Sequence, residues 1–170
     1  MQKEFSYPLK IDELGQGEQT YNLRADKEQL ATLKEILQVP AVNSFEANLK
    51  LKFQKKRGLL EISGTASANL ELISVISLEA FNKDYTAEFK LMYDTNATYE
   101  DIYGEDDDIE DDVPDIVYDG KIDLGDIAIE QIALVMEDHP RKAGEVFNEV
   151  IEAREPVKNN PFAALEKLKK

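Results

Sequence analysis

The chain has no cysteine and only one histidine among its 170 residues. The missing cysteine excludes disulfide frameworks, thiolate zinc sites and cysteine nucleophiles together. A catalytic histidine needs a nucleophile on one side and an orienting acid on the other. His139 has no such partners in the sequence, and no Gly-x-Ser-x-Gly elbow is present. It reads as a helix-exit or surface histidine. No apolar run approaches the ~20 residues that span a bilayer. The first residues, Met1-Gln2-Lys3-Glu4-Phe5-Ser6-Tyr7, lack the apolar core of a secretory signal. These absences lead to the expectation of a soluble cytoplasmic protein that is not an enzyme and uses no metal or cofactor.

Basic residues are missing from one long stretch. Between Asp94 and Asp119 there are twelve acidic residues and no basic ones. The whole chain carries a formal charge of -15, from 35 acidic and 20 basic residues. Without that stretch, 23 acidic residues face 20 basic ones, so the acidity is local. Such a run repels itself and offers few core residues, which predicts a solvated, mobile loop over 95–114. A calcium loop is a poorer account. Asp106, Asp108 and Glu110 alternate as an EF-hand requires, but Asp111 stands where the turn glycine should be.

Apolar content of 42% is enough for a core. Residues 23–39 read as a first helix, with Asp26 as N-cap and Gln29 completing a capping box. Leu30, Leu33, Ile36 and Leu37 form its apolar stripe, and Pro40 ends it. The pattern then turns to period two. Leu49, Leu51 and Phe53 alternate with Lys50, Lys52 and Gln54. After Lys55-Lys56-Arg57-Gly58 the alternation resumes, with Leu60, Ile62, Gly64, Ala66, Ala68, Leu70 and Leu72 on one face. This predicts a hairpin with a basic tip. The small residues Gly64, Ala66 and Ala68 suggest close approach of something bulky, a helix above all. A further strand carries Tyr85, Ala87, Phe89, Leu91 and Tyr93 on one face. Short links imply a mainly antiparallel sheet whose apolar face helices must cover.

A second amphipathic helix follows the acidic stretch. Asp123 is its N-cap. Leu124, Ile127, Ala128, Ile132, Val135 and Met136 form its buried face, which Ile129 and Leu134 widen. Near the end, Asn160 caps a short helix with Pro161 at its first position. Phe162, Leu165 and Leu168 share a face there, and Lys167, Lys169 and Lys170 cluster at its end. The expected fold is α+β, a mainly antiparallel sheet covered by helices, with an acidic loop insertion. Residues 1–156 form one domain, and 157–170 form a linker and the C-terminal helix.

Three basic groups qualify as binding sites, one of them the C-terminal Lys167, Lys169 and Lys170, whose charge favours a phosphate-bearing or acidic surface. Lys50, Lys52, Lys55, Lys56 and Arg57 can hold phosphates, or they can be a solvated strand face whose lysines guard a sheet edge. Arg141 and Lys142 sit in a short rigid turn after Pro140. They can contact phosphate or carboxylate, or form salt bridges with Glu137, Asp138 or Glu145.

Several motifs together resemble the YceD family of bacterial large-subunit rRNA accumulation proteins. Ile122-Asp123-Leu124-Gly125 is similar to the family's helix start, Glu130-Gln131-Ile132 to its helix core, and Pro140-Arg141-Lys142-Ala143-Gly144 to its Pro-Arg-x-x-Gly exit. Gly64-Thr65-Ala66-Ser67-Ala68 and Ser74-Val75-Ile76-Ser77-Leu78-Glu79-Ala80 are similar to its mid-chain strand and Cys-x-x-x-Leu-(Glu/Asp)-Pro turn. Ser74 replaces the cysteine and Ala80 the proline. The tail from Asn160-Pro161-Phe162 to Leu168-Lys169 is similar to that of the alphaproteobacterial branch. The resemblance implies a non-enzymatic role in accumulation or maturation of large-subunit (23S) rRNA, with rRNA or a pre-ribosomal particle as partner. It favours the turn carrying Arg141 and Lys142 as the functional candidate. A second reading is an acidic adaptor for a basic ribosomal protein.

Overall fold

The computed structural model describes residues 4–97 and 114–146. The expected C-terminal helix, with Lys167, Lys169 and Lys170, and most of the acidic stretch lie outside the described residues. The architecture is α+β. Strands β2 (Gly17–Arg24), β3 (Ala41–Gln54), β4 (Leu59–Ile73) and β5 (Ala80–Asp94) form consecutive antiparallel neighbours. A short β6 (Asp115–Ile116) joins β5 in parallel, giving the order β2-β3-β4-β5-β6. Apart from this sheet, β1 (Pro8–Lys10) pairs with β7 (Lys121–Asp123).

Helix α1 (Lys27–Leu37) begins as its caps dictate. The Asp26 carboxylate accepts from the N–H groups of Glu28 and Gln29 at 3.1 and 3.0 Å, and the Gln29 side chain accepts from the Asp26 N–H at 3.0 Å. The expected start at residue 23 is corrected: Leu23 and Arg24 belong to β2, opposite Ala47 and Glu46. Leu33 and Leu37 are buried, Leu30 is partly buried, and Ile36 is exposed. Gln38 turns left-handed at φ 54°, and β3 starts one residue after Pro40.

Helix α1 lies on β3, and helix α2 (Leu124–Val135) lies on β4 and β5. Between them they cover the sheet's apolar face. Leu49, Leu51, Leu60, Ile62, Ala66 and Leu70 from that face are buried. The β3–β4 hairpin and the alternation on β5 are as the period-two pattern predicts. Gly64 differs from expectation. Its close neighbour is strand backbone: a Cβ there would lie 2.2 Å from the Asn48 carbonyl oxygen on β3. Leu134 and Val135 also differ, being 71% and 41% exposed. At 100° per residue, Leu134 projects away from the Ala128–Ile132 stripe, and Val135 sits in the last turn.

Candidate functional site

The β3–β4 turn carries Lys55, Lys56 and Arg57. Its backbone closes through Arg57 N–H donating to Gln54 O at 2.9 Å and Gly58 N–H to Lys55 O at 3.3 Å. Gly58 adopts φ 66°, a conformation that favours glycine. Its carbonyl accepts from both the N–H and the hydroxyl of Thr95, at 2.7 and 2.8 Å. The basic tip is therefore braced by the chain leaving β5. Lys55, Lys56 and Arg57 are exposed and make no ion pair among the described residues. Beside them lies a cleft of about 390 Å³, bounded also by Gln16, Gln54 and Phe53. Phe53 faces inward and is buried.

Lys50 and Lys52 project from the sheet's polar face. The edge-guarding reading is corrected: β3 lies between β2 and β4, and the edge is β2. Lys52 stands between Glu18 and Glu61 in register without an ion pair to either. Lys50 pairs with Glu18 at 3.5 Å, and both side chains are more than half exposed. An exposed pair of this kind contributes at most about 1 kcal/mol, so Lys50 can exchange partners readily.

At the far end of β4, the Pro140 turn meets the turn that begins at Ser74. Val75 N–H donates to Pro140 O at 3.0 Å. The buried Ser74 hydroxyl donates to Glu145 and accepts from the N–H groups of Ile76 and Ser77 at 3.2 and 3.3 Å. Glu145 also accepts from Lys142 N–H at 3.0 Å. The Ser74 and Ser77 hydroxyls, followed by that backbone N–H, hold the Glu145 carboxyl below the ordinary range. Lys142 pairs with Glu79, and Glu137 pairs with Lys83 at 2.6 Å. Arg141 is exposed and pairs with none of Glu137, Asp138 or Glu145. The turn thus commits Lys142 to the fold and presents Arg141 outward.

These two basic groups do not form one site. They lie at opposite ends of the fifteen-residue strand β4. At ~3.3 Å per residue that separation is about 45 Å. Among the described residues no cluster could hold a metal ion, and His139 is exposed. No described helix is long and apolar enough to cross a membrane.

The sequence model of the large ribosomal RNA subunit accumulation protein YceD matches residues 62–169. The chain belongs to the YceD family. No curated protein and no solved structure matches it. The YceD match begins on β4, so β1, β2, α1 and β3 precede it.

The geometry separates the YceD motifs by role. Asp123 caps α2 through the N–H groups of Gly125 and Asp126, at 2.8 and 3.2 Å. The same carboxylate accepts from Tyr7 N–H at 2.8 Å and from the Ser6 hydroxyl. Leu124 is fully buried, and its N–H donates to Tyr7 O at 3.1 Å. Gly125 lets the Phe5 backbone pass against the helix. Asp123, Leu124 and Gly125 therefore clamp the N-terminal segment. Glu130 is exposed, Pro140 and Gly144 shape the exit turn, and Gly144 takes φ 82°. The meeting of Ser74 with Glu145, and the different fates of Arg141 and Lys142, depend on tertiary contacts that no local pattern signals.

Asp123 predicts an acid-side effect. Burial alone would raise its pKa, but hydrogen bonds from Ser6, Tyr7, Asp126 and Gly125 outweigh burial and lower it. A lowered carboxylate pKa stabilises the fold above the unfolded value and loses that contribution as pH falls through the folded value. Asp126 opposes this trend. Burial, then repulsion from Asp123 and Glu4, raises its pKa. Asp123→Asn should therefore flatten the fall in stability below about pH 4. Urea midpoints measured across that range check it, and an unchanged slope would refute the assignment to Asp123.

Proposed function

We propose that this chain supports accumulation of large-subunit rRNA by binding the RNA or its ribonucleoprotein, without catalysis, and that the β3–β4 tip is the principal contact. The observation carrying this reading is the braced triad Lys55, Lys56 and Arg57, exposed and without ion pairs among the described residues. Cations held in that state can neutralise phosphates without first giving up intramolecular partners. Lys50 and Lys52 extend the positive strip along β3. Arg141, about 45 Å away, is a second contact for a partner as large as a ribosomal precursor. Family membership supplies the biological setting.

The test uses the full chain with a large-subunit rRNA transcript. Changing Lys55, Lys56 and Arg57 together to glutamine should weaken binding at least about tenfold and lower the salt slope by about 2–3. Thermal unfolding should be unaffected, because all three are exposed. Unchanged affinity would remove the tip from the interface. A second reading is favoured by the twelve carboxylates between Asp94 and Asp119, which suit a basic ribosomal protein. Sedimentation with ribosomal particles before and after RNase separates the two. Release by RNase supports the RNA reading, and retention supports the protein adaptor.

A further inference from the structure

The polar face of the sheet holds a second concavity, an open groove of about 630 Å³. Cross-strand register builds it from two rows. One row runs Thr20, Lys50, Ser63, Lys90. The other runs Asn48, Thr65, Glu88. Gly64 and Phe89, paired with each other, lie between the rows. Both helices pack on the sheet's other face, and the described residues leave this one open.

The first row is suited to phosphate. Two lysines stand two strands apart, their backbones roughly 10 Å from each other, with Ser63 in register between them. Lys90 pairs with Glu61 at 3.1 Å, and its side chain is 64% exposed. Like Lys50, it can change partners at little cost. The second row is not suited to phosphate alone. It offers an amide, a hydroxyl and a carboxylate. Glu88 has no ion pair among the described residues. An ionised carboxylate only accepts hydrogen bonds. Beside a DNA backbone it would find phosphates and no donor. Beside an RNA backbone it finds the ribose 2′-hydroxyl, which both donates and accepts. Phe89 belongs to the inward-facing set on β5 and is only partly exposed, so the groove lacks the stacking platform that unpaired bases use. Paired RNA, whose shallow groove displays its 2′-hydroxyls, needs no such platform.

We propose that this groove reads the ribose-phosphate backbone of double-stranded RNA and distinguishes it from DNA, with Lys50 and Lys90 taking phosphates and Thr65 and Glu88 taking ribose hydroxyls. The proposal rests on the RNA-binding reading above. Lys50 and Lys52 join the groove to the tip along β3, at ~7 Å per outward-facing step, so one duplex can reach both.

The test compares an RNA hairpin duplex with the DNA duplex of the same sequence, using the full chain. The wild type should prefer RNA by about tenfold or more. Lys50→Gln with Lys90→Gln should weaken both duplexes and lower the salt slope by about 2. Glu88→Ala is decisive because the competing account has the opposite sign. If Glu88 only repels phosphates, its removal tightens both duplexes. If it holds a ribose hydroxyl, its removal weakens RNA several-fold and does not weaken DNA. Thr65→Val should narrow the preference similarly and guards against misfolding of either variant. Tightened RNA binding in Glu88→Ala, or a wild type blind to the sugar, overturns the groove proposal. The tip reading survives that result if the triple glutamine variant still loses affinity. Absence of any RNA binding by the wild type overturns both.

Discussion

Gly125→Ala should destabilise the fold by about 3 kcal/mol. An added Cβ would lie 2.0 Å from the Phe5 carbonyl oxygen and 2.9 Å from its carbon. Neither is the end of a flexible side chain. The segment is pinned on the far side by Tyr7 N–H to Asp123 and by Leu124 N–H to Tyr7 O. The clash has two outlets. The helix start can shift, distorting the cap and the fully buried Leu124, or the N-terminal segment can peel away. Peeling exposes Phe5, which is 1% exposed and packs edge-on against Phe45 and Tyr7 with ring centroids 5.1 Å apart. Loss of a buried phenylalanine alone costs about 3–5 kcal/mol. Forcing extra atoms into a packed site costs about 1–3 kcal/mol. The cheaper outlet sets the observed value, and both are expensive. Urea denaturation gives the answer. A loss under about 0.5 kcal/mol, the range of neutral surface changes, would show that Phe5 does not cross the helix start.

This clamp illustrates which parts of the fold a sequence makes legible. The Asp123 cap and the Asp26–Gln29 capping box are local chemistry, and both helices begin where those residues place them. The β3–β4 hairpin was equally legible, because strict alternation on both strands flanks a turn ending in glycine. Strand β2 was not. Its inward positions are Gln19, Tyr21 and Leu23, and only Leu23 is buried. With so weak an apolar signal, the pattern merges its last two residues, Leu23 and Arg24, with the helix that follows. Pairing of β1 with β7, and of Ser74 with Glu145, joins residues far apart in the chain. No period or propensity encodes either contact.

The candidate interface divides in the same way. Lys55, Lys56 and Arg57 could be assigned to a turn from sequence, and the lysines on β3 to a polar face. Whether that face lay at an edge depended on strand order. The groove required register as well. Thr20, Ser63, Thr65, Glu88 and Lys90 come from three strands, and each is an ordinary outward-facing polar residue when read alone. Arg141 and Lys142 are neighbours with the same charge. Only the position of Glu79 determines that Lys142 is occupied while Arg141 is presented outward.

Ile132→Ala should cost about 2–5 kcal/mol. Ile132 is fully buried in the middle of α2, where that helix lies on β4 and β5. Truncation removes three carbons from a packed interior and leaves a void that the sheet below can fill only partly. Its helical neighbourhood supplies an internal control. Leu134 is two residues away on the same helix and 71% exposed, so Leu134→Ala should change stability by no more than about 0.5 kcal/mol. The sequence pattern assigned both residues to one widened apolar face, and the structure separates them. For a chain of this size, ~1 kcal/mol moves the unfolding midpoint by about 2–4 °C. The two variants should therefore differ by several degrees. Similar midpoints would mean that Ile132 is not in the core. The apolar side of α2 would then be a surface awaiting a partner, and the sheet would need another cover.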